Sequence, residues 1–347
     1  MSHRTTPSPT PAITSSVQHG AAGAPASSSN APAWAADAVL PGFEAATLRF
    51  PNDYDGPVYA TLLRRQASQP TKRAVLYIHG YMDYFFQTHL ADEFNTQGYN
   101  FYALDLRKYG RSLRGAPHPN YCRDLREYFA EISAALRIMT QHDGNTWVIL
   151  NGHSTGGLTS ALYANSGRER HRVDALVLNS PFFAFNLDRR GEGLVRALAS
   201  LASVLPFAQL RRDRTLPYIQ SIHADHHGEW AFDLQWRPLG GFPIYAGWVR
   251  AILRAHAQLR RDLKIACPVL VLHATASVSG PMWHAGFQGG DGVLNVNHIR
   301  EGSHHLGTNV AVQEVQEGLH DLVLSRPDVR AQVFATLFGW LEKTADA

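Results

Sequence analysis

The chain has 347 residues, 45% of them hydrophobic and 18% charged, which is enough apolar material for one sizeable core carrying an insertion. A formal net charge of +3, spread over scattered arginines without a long run of like charge, argues against nucleic acid as a partner. Cys122 and Cys267 lie far apart, which argues against a disulfide framework and suits free thiols in a reducing, cytoplasmic compartment.

Residues 1–38 are rich in Ser, Thr, Pro, Ala and Gly and read as a disordered low-complexity tail. They lack the apolar stretch of about 7 to 15 residues that a secretory signal needs. Nor does any later segment offer the roughly 18 uncharged apolar residues of a membrane span.

From Phe43 onward, short runs rich in β-branched and aromatic residues alternate with helical patterns. That alternation predicts an α/β fold with a mainly parallel sheet of eight strands flanked by helices. The strands are 46–50, 58–64, 74–79, 100–106, 147–151, 173–179, 269–273 and 312–316, the first two joined as a hairpin by the turn-prone NDYDG. In YCRDLREYFAEISAALRIM, Leu125, Phe129, Ile132, Leu136 and Met139 form the apolar stripe of one helix. A last helix starts at Ser325 and Pro327, with Val329, Val333, Leu337 and Trp340 on one face.

The strand ending at Asn179 is followed by an interval far longer than an ordinary connection. This predicts a core of residues 39–181 and 264–347, with an inserted helical cap, 182–263, over the carboxyl ends of the strands. Within the cap, Trp230, Trp236, Phe242 and Trp248 are candidates to line a substrate pocket. The apolar stretch Leu194 to Leu205, beside Arg211, Arg212 and Arg214, either packs over that pocket or makes peripheral contact with an anionic membrane.

The chemistry is read from VILNGHSTGG, residues 148–157, where an apolar strand runs into Gly152-His153-Ser154-Thr155-Gly156. This matches G-x-S-x-G, a strained strand-to-helix turn that presents a serine oxygen and needs small neighbours on both sides. A serine hydroxyl is a poor nucleophile at neutral pH and requires a base, an acid to orient that base, and donors for the oxyanion. The backbone N–H groups of Thr155 and Tyr81 are the candidate donors, Tyr81 following the strand that ends in His79-Gly80. His79 abuts an apolar strand and reads as a structural hydrogen-bonding residue.

In this arrangement the acid and then the histidine follow the nucleophile. His320, in GLHD just before the last helix, is in the expected place for the base, whereas His304 and His305 read as loop residues. After the strand 269–273 the position suited to the acid holds Ser277, so Asp291, reached through an extended loop from Thr275 to Gly290, is the candidate. Asp321, the immediate neighbour of His320, is the alternative. The roles are attack by Ser154, proton transfer by His320 and orientation of the imidazole by Asp291.

Taken together, HGYMDY at 79–84, DLRKYGRS at 105–112, NGHSTGG at 151–157, NSPFF at 179–183, GDGVLNV at 290–296 and GLHD at 318–321 resemble the α/β-hydrolase superfamily. Within it the chain is similar to the capped monoacylglycerol-lipase and lysophospholipase-like group. The resemblance implies a serine esterase or lipase needing no cofactor and no metal, with a small hydrophobic ester as substrate. The chain departs from that group in having Asp83 and Tyr84 where a Glu and a His are usual, Lys108 at a glycine position, and a displaced acid.

Other readings stay open at this level. The same triad serves amide, thioester or lactone hydrolysis and acyl transfer, and the scaffold can serve a ligand-binding receptor. An aminopeptidase would want an acidic group for the substrate amine, for which Glu192, Asp225, Glu229 and Asp233 are available. Ser221-Ile-His-Ala-Asp-His226 resembles a metal-ligand string but has Ser221 in place of its first histidine.

Overall fold

The computed structural model describes residues 32–187, 189–211 and 217–345. The strands are β1 (Ala35–Ala36), β2 (Glu44–Asp53), β3 (Gly56–Arg65), β4 (Arg73–Ile78), β5 (Asn100–Asp105), β6 (Trp147–His153), β7 (Ala175–Asn179), β8 (Gln209–Arg211), β9 (Ile244–Tyr245), β10 (Val269–Ala274) and β11 (Val310–Val315). The helices are α1 (Thr88–Thr96), α2 (Phe129–Arg137), α3 (Thr155–Ser166), α4 (Arg189–Leu201), α5 (Pro217–Ile222), α6 (Ala246–Leu259), α7 (Val296–Ser303) and α8 (Pro327–Ala345).

One sheet runs in the order β1-β2-β3-β5-β4-β6-β7-β10-β11. The pairs from β5 to β11 are parallel, while β1, β2 and β3 pair antiparallel at one edge. All eight expected strands are present, and the sheet has nine because Ala35–Ala36 adds an edge strand. The expected tail therefore stops short of residue 38. Arg64 stacks over the Trp34 ring, and both carboxylate oxygens of Asp37 accept from Arg111, so these residues have partners outside their own segment. The rest of that tail, residues 1–31, lies outside the described residues.

The central strands read as continuous apolar runs because helices cover both faces of the sheet. Leu76, Leu150, Leu178 and Val271 face a core shared with Leu136 of α2, Leu158 and Leu162 of α3 and Ile252 of α6. Their alternating neighbours Val75, Ile149, Val177 and Leu272 face the opposite core with Phe94 of α1 and Val333 and Leu337 of α8. Alternation of successive side chains thus divides each strand between two cores.

The residues expected in the cap supply α4, α5, α6 and the β8–β9 pair. They do not separate from the core, and residues 32–347 form one compact unit. The reason is visible in α6, whose Trp248, Ile252, Ala255 and Leu259 are buried in the same core as α3. In α4 and the turn after it, Ala199 and Ala202 are buried while Leu194, Val204 and Leu205 are 62%, 78% and 54% exposed. Arg212 and Arg214 lie outside the described residues. Among the described residues no helix is long and apolar enough to cross a membrane.

Candidate functional site

Ser154 stands between β6 and α3 with φ 55° and ψ −117°, a region L-residues rarely occupy. Its backbone is held from three sides. Its N–H donates to Asn179 O at 2.9 Å, and its carbonyl accepts from Leu158 N–H at 3.1 Å and Phe182 N–H at 3.0 Å. The flanking glycines are needed for close approach. A Cβ on Gly156 would collide with the carbonyl oxygens of Ile78 and His79, and one on Gly152 would lie 2.6 Å from Gly156 O and Ser160 Oγ.

His320 lies between β11 and α8, with its ring edges directed at two of the residues singled out by sequence. Nε2 is 2.9 Å from Ser154 Oγ, and Nδ1 is 2.9 Å from Asp291 Oδ2. The other oxygen of Asp291 accepts from the N–H groups of Val293 and Leu294, both at 2.8 Å. One carboxylate oxygen is thereby fixed by backbone, leaving the other for the imidazole. With Nδ1–H donating to Asp291, Nε2 is the acceptor for the Ser154 hydroxyl. Ser154, His320 and Asp291 are 8%, 3% and 0% exposed.

Asp321 does not reach this imidazole. Its carboxylate accepts from Asn179 Nδ2 at 2.7 Å and from Gln87 Nε2 at 3.1 Å. His305 pairs with Asp262, away from the relay. His79 is structural, since Nδ1–H donates to Gly80 O at 2.8 Å, Nε2 accepts from Leu106 N–H at 3.1 Å, and burial holds its pKa down.

Thr155 opens α3, so its N–H belongs to the first turn, where no intrahelical acceptor exists. Gly80 sits so close to Ser154 that a Cβ there would be 3.1 Å from Ser154 Cβ, which brings the backbone entering Tyr81 beside Ser154. The Tyr81 ring stacks on Trp248 of α6 at 3.9 Å. Of the four cap aromatics, Trp248 is the one joined to an expected oxyanion residue. Trp230 stacks on His89 and donates Nε1–H to Leu324 O, Trp236 packs edge-on against Tyr84, and Phe242 is half-buried. Trp230 and Trp236 thus fasten the cap to the core, Trp230 through its ring and its N–H and Trp236 through its ring.

A second buried polar cluster, missed by the sequence reading, adjoins the relay. It contains Asp83, His153, Asp321 and Arg237, all 3% exposed or less. Arg237 Nη1 donates to Asp83 Oδ1 at 2.6 Å, and Asp83 Oδ2 is 3.5 Å from His153 Nδ1. Burial opposes charge on His153, but Asp321 and Asp83 outweigh it and raise its pKa. Asp83, His153 and Asp321 are the described residues grouped closely enough to hold a metal ion, yet Arg237 already brings a cation to Asp83. In the Ser221–His226 stretch, His223 Nδ1 accepts from Asp225 N–H, and His226 is exposed. Tyr218 of α5 completes the surroundings, edge-on to His320 at 5.5 Å, its hydroxyl accepting from Asp321 N–H at 3.0 Å. The sequence signal for this cluster was the unusual Asp83-Tyr84 shortly after His79-Gly80, and nothing in the spacing pointed to Arg237 or Tyr218.

Lys108 occupies its glycine-like position with φ 65°. Its ammonium group compensates by pairing with Asp53 at 3.0 Å and Asp55 at 2.7 Å.

Comparison with known proteins agrees with this architecture. The chain is 28% identical over 211 residues to a monoacylglycerol lipase of Mycolicibacterium smegmatis, covering 57% of this chain and 68% of that protein. A soluble variant of monoglyceride lipase from Saccharomyces cerevisiae superposes with a TM-score of 0.61 at 16% identity, over 86% of this chain and 96% of that one. A monoacylglycerol lipase from Paleococcus ferrophilus gives 0.60 at 18% identity, over 83% and 99%. At such identities the likeness is one of fold. The family model described as serine aminopeptidase, S33, matches residues 69–278, a span that includes Ser154 and Tyr81 and ends before Asp291 and His320. The chain belongs to this S33 hydrolase family, of the α/β-hydrolase superfamily.

Proposed function

We propose that the protein hydrolyses carboxylic esters through an acyl-enzyme on Ser154. The observation that carries this reading is the continuous relay Asp291–His320–Ser154, with both hydrogen bonds at 2.9 Å. Nε2 of His320 takes the hydroxyl proton as Ser154 Oγ attacks the ester carbonyl, and Asp291 stabilises the imidazolium that results. The N–H groups of Thr155 and Tyr81 receive the oxyanion. The imidazolium then protonates the departing alkoxide, and a water activated by the same nitrogen releases the acid.

The substrate is a fairly hydrophobic ester of the monoacylglycerol or lysophospholipid kind. Similarity to a monoacylglycerol lipase supports this, as does the stacked aromatic pair of Trp248 and Tyr81 next to Gly80. Among the described acidic side chains of the cap, Asp233 Oδ1 accepts from Gln235 N–H at 2.7 Å. Glu229 pairs with Arg330, and the Asp225 side chain is 81% exposed. The exposed Leu194, Val204 and Leu205 suit a protein that collects substrate at a lipid surface. A panel of glycerol and aryl esters of graded acyl length, with a matched amide and lactone, tests the reading. Turnover of medium and long acyl esters well above the amide and lactone supports it, and preference for the amide overturns the substrate class.

A further inference from the structure

The cap segment from Phe232 to Arg237 grips the loop after β4 at successive points. The Phe232 ring packs on Phe86 with centroids 5.0 Å apart, Asp233 N–H donates to Tyr84 Oη at 2.7 Å, and Trp236 meets the Tyr84 ring edge-on at 5.1 Å. The deepest contact is the ion pair of Arg237 with Asp83, whose members are 3% and 1% exposed. Asp83 lies two positions beyond Tyr81, the expected oxyanion donor. On its other side Asp83 Oδ2 is 3.5 Å from the imidazole of His153, the residue before Ser154, and that ring is 5.0 Å from the ring of His320. Loop and nucleophile turn have no slack between them, since a Cβ on Gly80 would lie 3.1 Å from both His153 Nδ1 and Ser154 Cβ.

A buried ion pair contributes little net stability compared with apolar groups of the same volume, but it fixes geometry and is costly to break on one side. Here the fixed geometry is that of the loop carrying an oxyanion donor, whose value depends on placement to within about half an ångström. Burial disfavours charge on Asp83, but Arg237 and His153 outweigh it and hold the carboxyl well below the usual carboxylate range, so the pair is ionised.

We propose that Arg237 is a positioning residue of the reacting centre: through Asp83 it holds the Tyr81 N–H at the oxyanion position, so the site is complete only while the cap segment Phe232–Arg237 is docked. This rests on the reading of Ser154 as nucleophile. It makes one part of the cap a fixed component of the catalytic machinery, not a passive cover. It also assigns a role to the acidic residue that follows the oxyanion turn.

The test is steady-state kinetics on a short-chain aryl ester, with each preparation normalised by exhaustive titration of its reactive serine with a fluorophosphonate. Normalisation separates loss of folded enzyme from loss of rate. Arg237→Gln should lower kcat per titrated site on the order of 100-fold with KM within about threefold, as misplacement of an oxyanion donor does. A trifluoromethyl ketone, which forms a tetrahedral adduct, should bind more weakly by a similar factor. Arg237→Lys, which keeps the charge, should recover about tenfold of the loss. A kcat per site for Arg237→Gln within about threefold of wild type overturns the proposal and leaves Arg237 as a cap fastener. If Arg237→Gln does not fold, the isosteric Asp83→Asn takes its place, expected to lose about tenfold in kcat, and an unchanged kcat there overturns the proposal equally. Ser154→Ala separates the two levels. Retained turnover in that variant would sink the reading of the site itself, whereas an inactive Ser154→Ala beside an unimpaired Arg237→Gln removes only the role of Arg237.

Discussion

Ser277 and Asp291 are paired across an isolated parallel β-bridge: Val278 N–H donates to Asp291 O at 2.8 Å, and Asp291 N–H donates to Ala276 O at 2.9 Å. The long loop after β10 therefore leaves and returns to the same place, and Asp291 arrives beside the strand end where an acid is expected but Ser277 stands. The Ser277 hydroxyl supports the return by accepting from Val296 N–H at 2.9 Å. Asp291→Asn should lower kcat on the order of 10³- to 10⁴-fold, because the amide no longer fixes the imidazole tautomer. Asp321→Asn should cost less than about tenfold, since its carboxylate serves Asn179 and Gln87. Stopped assays of both variants on one ester check this, and the reverse ranking would transfer the acid role to Asp321.

Gly156→Ala should destabilise the protein by about 3 kcal/mol, the upper range for overpacking a rigid core. The added methyl would collide with the carbonyl oxygens of Ile78 and His79, which are backbone and cannot swing aside. Urea denaturation of wild type and variant reads the change, and equal midpoints would contradict the close packing of the nucleophile turn against β4.

His256 gives a pH signature outside the site. It is buried on α6, Nε2–H donates to Phe182 O at 2.9 Å, and burial lowers its pKa from 6.5 to about 4. Between those two values the unfolded chain binds a proton that the folded chain refuses. The stabilisation is therefore complete above pH 6.5 and is lost as pH falls towards 4, by roughly 3 kcal/mol. Melting temperatures of wild type and His256→Gln across this range should diverge, the variant having the flatter curve. Parallel curves would mean that His256 is not the group responsible.

The strands and the strand-to-helix turn at Ser154 were legible in the sequence because both are encoded locally. Apolar runs flanked by turn residues mark the strands, and Gly152 and Gly156 stand where a serine at φ 55° needs room. Chain order led to His320. Asp291 required a choice, because loop length hides the bridge that brings it to Ser277. The edge strand Ala35–Ala36 was lost in a low-complexity stretch, since its two residues have no pattern of their own and are held by β2. Arg237 and Tyr218 could not be foreseen. Their importance lies in tertiary contacts with Asp83, Asp321 and His320, and neither periodicity nor spacing records which core residue a cap side chain will meet.

The proposed role of Ser154 as nucleophile is tested most directly by intact-mass measurement after exposure to a fluorophosphonate. Wild-type protein should gain one phosphonyl group, mapped to the peptide containing Ser154, with loss of ester turnover in proportion to labelling. Ser154→Ala should gain none and should not turn over the ester. Labelling of Ser154→Ala at the wild-type rate, or undiminished turnover by that variant, would contradict the account.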